Sequence, residues 1–430
     1  MTLKGSREAV LLFVGDVAIF YLSLWLTLLI RYGALPRAEL WWGHFLPFSI
    51  IFLFWVLSFF IFDLYRRPRL LFRDRLPRVI INTQVLNSLL AVLFFYFIPY
   101  FSVTPKTNLF INLALSLCLI LLWRLFLSQK LAPAGVERFV FAVGGQEVGE
   151  IEEILRASKS VKITDWEVWK ASARDPFATT IVIGEGDATS PEQLRDFYPL
   201  VFAGVQFVNV HRLYETLLGR VPISLIDHSW FLANISNRPK VGYGFLKRGT
   251  DVVLSLVLGV ISLVFYPFIA LCIKLQDGGP VFFLDERVGR SGKVFVVGKF
   301  RSMSLEPGLD DRRVTKLGRF LRQTRLDELP QLWSVLKGDM SFVGPRPERP
   351  EYVALYRKEI PYYNTRHLVA PGLSGWAQIY QANHPHFQAQ LDATREKLSY
   401  DLFYLKNRGW WLDVKIALKT IRALLSRSGI

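Results

Sequence analysis

Residues 252–273 read VVLSLVLGVISLVFYPFIALCI, an apolar run long enough to cross a bilayer core but interrupted by Pro267. Its flanks decide how it sits. Lys247 and Arg248 precede it, and Lys274, Arg287, Arg290, Lys293, Lys299 and Arg301 follow. Basic flanks are retained on the cytoplasmic side, so both ends of this segment are expected on one face. Such a segment must turn back, and Pro267 supplies the break. It lacks an amide donor, clashes with the carbonyl four residues earlier, and pushes Tyr266 away from helical geometry. Backbone freed at membrane depth needs a partner, and Ser262 is a candidate. The expectation is a helix-break-helix, broken at Tyr266 and Pro267, that dips into one leaflet of an anionic lipid bilayer and holds the following domain against it.

Upstream lie four more apolar windows, 10–30, 45–64, 79–101 and 109–127, in a chain of 430 residues that is 51% apolar. The excess is concentrated, which marks a multi-pass membrane protein. The loop at 66–78, RRPRLLFRDRLPR, carries six Arg against one Asp, whereas SVTPKT at 102–107 holds a single Lys. Four spans with both ends inside satisfy that asymmetry. The first window is too long for a signal-peptide core, and no small-residue cleavage site follows it. Cys118 and Cys272 both fall within apolar runs, which excludes disulfide and zinc spacings and leaves structural cysteines. A net charge of +16 suits nucleic acid, anionic lipid or phosphorylated substrates, and four spans remove nucleic acid from that set.

Between 135 and 240 the composition turns soluble, with short β-rich runs alternating with polar helical ones. RFVFAVGG reads as strand and turn, QEVGEIEEILRAS as helix, TTIVIGEG as strand, SPEQLRDFYPL as helix and GVQFVNV as strand. This is a small Rossmann-like α/β module with a parallel sheet. Gly144, Gly145 and Gly149 at the first strand-to-helix turn are spaced GGxxxG and not GxGxxG, with no acid placed for a ribose, so a regulatory or assembly role is favoured over nucleotide binding. The chain thus divides into a four-helix transmembrane region (1–134), this module (135–240), and an anchor with a mostly α (α+β) catalytic domain (241–430). The spans and the α/β module offer candidate homodimer surfaces.

Residues 324–347, TRLDELPQLWSVLKGDMSFVGPRP, set Asp327 and Glu328 among Arg319, Arg322, Arg325, Lys337 and Arg346. Carboxylates framed by cations point to phosphate chemistry. Pro330 fits a first helical turn and Gly338 a C-terminal stop, so Asp327 is expected to cap the helix between them. A helix N-terminus attracts phosphate and keeps a carboxylate ionised, and an ionised Asp beside cations is a competent nucleophile toward phosphorus. Adjacent acids do not suit glycoside hydrolysis, whose carboxylates flank the sugar from opposite sides. They suit one nucleophile plus one helper or metal ligand, with Lys299, Arg301, Arg322, Arg325 and Arg346 to neutralise phosphoryl oxygens beside Mg²⁺. His384 and His386, in NHPHF, lack a third ligand at sensible spacing and read as loop.

The ordered set KRGTDVVLSLV…YPFIALCIKL, GPVFF…ERVGRSGKVFVVGKFRSM, RVTKLGRFLRQTRLDELPQLWSVLKGDMSFVGPRP, PGLSGWAQI and LDVKI, across 244–416, resembles the bacterial sugar transferase family, the monotopic phosphoglycosyl transferases. The preceding spans and α/β module, with the connector YETLLGRVPISLI, resemble its long form, the polyprenyl-phosphate hexose-1-phosphate transferases of exopolysaccharide, capsule and O-antigen assembly. That resemblance implies a bacterial inner-membrane enzyme with its catalytic domain on the cytoplasmic face. Asp327 would attack the β-phosphate of a UDP-sugar and release UMP, and polyprenyl (undecaprenyl) phosphate would accept the sugar-phosphate. Glu328 would serve as metal ligand or base, with Mg²⁺ at the dyad. Arg322, Arg346 and Lys299 fall on matching active-site motifs, and Pro267 on the re-entrant break. The chain departs from the pattern at Tyr266 (usually Ser), Asp285 (usually Gln), Ala370 (usually Lys or Arg) and IYQAN (commonly VNGRN). The sugar is not legible, and the alternative is a non-catalytic scaffold or regulator of polysaccharide assembly.

Overall fold

The computed structural model describes residues 3–62, 64–65, 76–97, 106–130, 137–157, 161–171, 179–184, 191–235, 240–304, 314–381 and 390–425. They form two compact units, Met1–Leu217 and Leu218–Ile430.

The first unit opens with α1 (Leu3–Tyr32), α2 (Ala38–Ile61), α3 (Leu76–Phe97) and α4 (Lys106–Lys130). Each contains a stretch long and apolar enough to cross a membrane. Their buried faces carry aromatics such as Phe20, Phe48 and Trp55, and also polar groups that satisfy one another. Asn108 donates to the His44 ring at 3.1 Å, Asn112 to Ser23 at 3.0 Å, and Gln84 to Ser116 at 2.9 Å. Arg124 pairs with Asp16 and donates to the Leu64 carbonyl at 2.8 Å, which ties α1, α4 and the end of α2 together. Lipid offers no water to polar groups, so they turn inward and pair. The loop stretches 66–75 and 102–105, which carried the topology argument, lie outside the described residues. Both cysteines are free, and both are exposed and not packed in a core.

The same unit continues with β1 (Glu137–Phe141), α5 (Gln146–Arg156), β2 (Val161–Asp165), α6 (Trp166–Ala171), β3 (Thr179–Ile183), α7 (Pro191–Phe202), β4 (Gln206–Asn209) and α8 (Val210–Leu218). The four strands are parallel in the order β2-β1-β3-β4. Val140, Ile181, Trp166, Trp169 and Phe197 fill the core beneath the sheet. Sequence reading missed β2 and α6. VKITD is an edge strand that carries Lys, Thr and Asp, so its hydrophobic signal is weak.

The second unit begins earlier than position 241. Residues 218–235, which sequence reading gave to the α/β module, pack here. Trp376 donates its indole N–H to the Gly219 carbonyl at 2.6 Å, the Val221 amide bonds Ser399 at 3.1 Å, and Trp230 on α9 (His228–Asn234) is buried with Leu398 and Leu402.

Next come α10 (Val241–Leu263) and α11 (Tyr266–Asp277), bent by 53°. The break falls at Val264 and Phe265, just before the expected Tyr266 and Pro267. Pro267 sits in the first turn of α11, where its missing donor is harmless. Ser262 is buried, its hydroxyl donates to the Gly259 carbonyl at 2.7 Å within α10, and its own carbonyl accepts from the Phe265 amide at 2.9 Å at the break. The buried stripe of α10 is small or polar, Asp251, Ser255, Gly259 and Ser262, while Val253, Leu256, Val257, Val260 and Leu263 are exposed. This inverts the soluble-helix pattern. Asp251 accepts from the Ser341 hydroxyl at 3.1 Å and the Phe342 amide at 3.0 Å.

The rest is the antiparallel hairpin β5 (Phe282–Val288) and β6 (Val294–Phe300), α12 (Lys316–Gln323), α13 (Gln331–Lys337), β7 (Ser341–Val343), α14 (Pro350–Glu359), β8 (Gly372–Ser374), α15 (Trp376–Tyr380), α16 (Leu391–Asn407) and α17 (Trp410–Leu425), with β7 and β8 parallel. His384 and His386 lie outside the described residues.

Candidate active site

Asp327 and Glu328 sit in a single 3-10 turn, Leu326–Glu328, between α12 and α13. Asp327 therefore does not cap α13. Pro330 holds the N-cap position, and a carboxylate three residues earlier belongs to the tighter turn. Arg325 enters that turn at φ +58°, a left-handed conformation that costs energy for a side chain with a Cβ. Such strain persists where surrounding structure enforces it. Here α12 is pinned from the other side: a Cβ added to Gly318 would lie 1.9 Å from the Ser302 carbonyl oxygen, so only glycine admits that contact.

Three cations converge on Glu328. Its Oε1 lies 3.4 Å from Lys299 Nζ on β6, 3.4 Å from Arg325 Nη1 and 3.6 Å from Arg346 Nη2. Burial alone would raise this carboxyl, but Arg346, Lys299 and Arg325 together outweigh it and hold the pKa down to about 2. Asp327 has the opposite surroundings. It is buried, and its Oδ1 has no hydrogen-bond partner among the described residues. Burial first, and the Glu328 charge second, raise it to about 6 against the pull of Lys299, Arg325 and Arg322. The cation frame read from sequence is real, but it closes on the second acid and leaves the first with a free oxygen. Burial lowers Lys299, and the carboxylates partly restore it.

Other candidates separate from this centre. Arg301 is buried, pairs with Asp277 through both terminal nitrogens and donates Nε to the Pro280 carbonyl at 2.7 Å, so its guanidinium is spent on the end of α11. Arg322 acts on Asp327 through its charge. Arg319 is exposed and Lys337 ends α13, and neither joins the ion pairs of the dyad among the described residues. Asp285 is held by Arg287 and Arg349, at 2.5 and 3.1 Å. Tyr266 packs edge-on against Phe300, at 4.8 Å between ring centroids, and links the break to β6 one residue from Lys299.

The motif glycines have a packing reason. A Cβ on Gly344 would lie 2.4 Å from the Ala370 carbonyl, and one on Gly372 would lie 2.1 Å from the Gly344 amide. The segment 344–347 and the segment 370–375 thus touch backbone to backbone, which sets the departure of Arg346 toward the dyad. Sequence reading missed a second charged cluster beneath that loop, Glu348, Arg366, Lys397 and Asp401.

No cluster of three His, Cys, Asp or Glu exists among the described residues. Mg²⁺ is usually held by one or two carboxylates together with substrate phosphate and water. The unpartnered Oδ1 of Asp327 and the neighbouring Glu328 fit an ion of that kind.

Residues 242–427 match the family model described as bacterial sugar transferase. The chain is 41% identical over 235 residues to an Aeromonas hydrophila protein named UDP-N-acetylgalactosamine-undecaprenyl-phosphate N-acetylgalactosaminephosphotransferase, covering 53% of this chain and 54% of that one. It is 43% identical over 186 residues to the UDP-glucose:undecaprenyl-phosphate glucose-1-phosphate transferase of Escherichia coli, covering 41% and 39%. It is 39% identical over 191 residues to an uncharacterised sugar transferase of Bacillus subtilis, covering 43% of this chain and 90% of that one. The first two relatives are thus matched over about half of their length or less.

Proposed function

Because the chain belongs to the bacterial sugar transferase family, we propose that it transfers a sugar-1-phosphate from a UDP-sugar to polyprenyl (undecaprenyl) phosphate. The observation that carries this reading is the split of the dyad. One carboxyl is buried, unpartnered and raised to about 6, and its neighbour is clamped by cations at about 2. Adjacent acids driven apart in this way take different roles.

Asp327, ionised at neutral pH and with its Oδ1 unpartnered among the described residues, is the nucleophile. Its carboxylate oxygen bonds to the β-phosphorus of the donor as the bond from that phosphorus to the α–β bridging oxygen breaks. UMP leaves with the electron pair. A phosphate oxygen of the polyprenyl acceptor then attacks the same phosphorus, the acyl-phosphate bond breaks, and Asp327 returns to a carboxylate. Neither step needs a proton removed from the acceptor. A carboxyl held near 2 is a poor proton acceptor, so Glu328 serves as a cation anchor and metal ligand and not as a base. Mg²⁺ held by Asp327 and Glu328 would neutralise charge developing on the phosphoryl oxygens. Lys299, Arg325 and Arg346 face the same oxygens, with Arg322 adding its charge. A groove of about 560 Å³ lined by Arg290, Asn364, Arg357 and His367 is of a size suited to a nucleotide.

The bent α10–α11 pair is re-entrant in this reading, the catalytic unit lies on the cytoplasmic face of the bacterial inner membrane, and the step opens exopolysaccharide, capsule or O-antigen synthesis. The parallel sheet of the first unit is Rossmann-like and serves regulation or homodimer assembly.

The test incubates purified protein with a UDP-sugar panel, Mg²⁺ and undecaprenyl phosphate. UMP release, label in lipid, and a labelled protein adduct absent from Asp327→Asn are expected. No turnover across the panel would overturn the enzyme reading and leave a scaffold. Cysteine labelling that puts positions 244 and 278 on opposite faces would overturn the re-entrant anchor.

A further inference from the structure

The loop 345–348 has every backbone carbonyl assigned to a donor. Pro345 accepts from the Gly372 amide at 2.9 Å, Arg346 from Arg366 Nη2 at 2.8 Å, Pro347 from Arg287 Nη1 at 3.1 Å and Glu348 from the Val288 amide at 2.9 Å. Two of its four residues are prolines with fixed φ. A loop tied at each residue has little freedom to re-aim a side chain, and the side chain it carries toward the dyad is Arg346.

Arg366 does more than close one of those bonds. Its Nη1 donates to the Tyr363 hydroxyl at 2.8 Å, its Nη2 pairs with Asp401 at 2.9 Å, and Glu348 lies 3.7 Å away and also pairs with Lys397. The Arg366 and Asp401 side chains are 2% and 1% exposed. Two acids and two cations balance in the cluster, and Glu348 is its most exposed member at 17%. What the cluster can transmit is position. A planar guanidinium with several donors addresses Tyr363, Asp401 and the Arg346 carbonyl at once, which an ammonium does not.

We propose that Arg366 is a positioning residue for the transfer reaction: through its bond to the Arg346 carbonyl, backed by Asp401, it holds the Arg346 guanidinium at Glu328. This rests on the function proposed above. Arg346 is the contact that reaches the reacting groups, and Arg366 acts only through it. A displacement of about 1 Å in such a group costs on the order of a hundredfold in rate.

Truncating Arg366 alone would strand the Asp401 charge, so the informative variant removes both, Arg366→Met with Asp401→Leu, and leaves Glu348 and Lys397 as a neutral pair. Replacing a whole buried pair by apolar groups is often tolerated. With the full chain in nanodiscs, UMP release is measured for wild type, this paired variant, Arg346→Ala, and all three substitutions combined. The expected result is a near-wild-type Tm, a roughly ten- to hundredfold fall in kcat for the paired variant, and less than a twofold further loss once Arg346 is already Ala. Wild-type kcat in the paired variant, or losses that multiply in the combined one, would sink the positioning role while leaving the enzyme reading intact. If the paired variant does not fold, Arg366→Lys, which keeps the charge and loses the fork, is taken through the same cycle with the same criteria. A wild type that releases no UMP from any donor overturns both readings together.

Discussion

Two charge clusters in the catalytic unit, built from the same residue types, behave in opposite ways. At the turn 326–328, three cations crowd one carboxylate and leave the other with an unpartnered oxygen. Beneath the loop 345–348, Glu348 and Asp401 are matched by Lys397 and Arg366, with burial nearly complete. Glu348 is held down to about 2, where burial opposes and Lys397 and Arg366 prevail. The lesson is that charge density does not by itself mark a site. Asp401 Oδ2 likewise makes no hydrogen bond among the described residues but lies 2.9 Å from Arg366 Nη2, so what separates the clusters is charge balance: a balanced one is a brace, and an unbalanced one is poised to receive a ligand.

The sharpest way to break this contrast is Asp327→Asn. If the free oxygen is the nucleophile, kcat falls by on the order of 10³–10⁴, and the labelled adduct disappears. The same variant should gain stability. The folded-state pKa of Asp327 is raised, so the folded protein binds the extra proton and this group's contribution declines as pH rises from about 4 to about 6, with the deficit complete at neutral pH. A neutral Asn removes up to about 3 kcal/mol of that penalty, read as a higher Tm at pH 7 and no difference at pH 3.5. An equal or lower Tm at pH 7 would mean that Asp327 is a structural acid.

Next in size, Arg366→Met alone should destabilise the unit by about 3–5 kcal/mol through the uncompensated Asp401, while the paired replacement with Asp401→Leu restores most of it. Chemical denaturation in detergent decides, and equal losses for the two would show that the cluster is not closed.

A smaller effect separates the two acids of the dyad. Activity in wild type should fall as pH drops through about 6, because Asp327 takes up a proton. In Glu328→Gln the neighbouring negative charge is gone, so that limb moves to lower pH even as the rate at pH 8 drops by about ten- to hundredfold. A limb that stays in place would place the titration elsewhere.

The smallest expected change is Arg325→Gly. The left-handed φ is free for glycine, which should add up to about 1 kcal/mol of stability, while loss of one half-exposed cation lowers activity only a few-fold. A stability loss would contradict strain at this position.

Much of this was readable in the chain, and the rest was not, for identifiable reasons. Pro267 and its basic flanks announced a bend, because a missing amide and a charge asymmetry are local properties. The glycines of VGPRP and PGLSGW were visible as a pattern, but their cause, two backbones in contact, needs both segments at once. Asp327 was misplaced as a helix cap because Pro330 starts a helix equally well after an extended cap or after a 3-10 turn. Arg301 looked like a phosphate ligand because it shares the cationic GKFRSM stretch with Lys299, and its partner Asp277 lies at the end of another helix. The brace of Glu348, Arg366, Lys397 and Asp401 was not read, since only Lys397 and Asp401 share an element, one helical turn apart on α16, while Glu348 and Arg366 come from two other segments.

The inward stripe of α10 has a consequence in time. Asp251 finds its partners at Ser341 and Phe342, 90 and 91 residues later in the chain. At a synthesis rate of about 5–20 residues per second, the apolar helix leaves the ribosome about 5–20 s before the groups that neutralise its acid exist. Through that interval Asp251, at the head of the apolar run of α10, lacks the two donors that hold it in the folded unit, and they arrive only with β7. The seating of α10 in its own unit is thus completed late, by residues of β7.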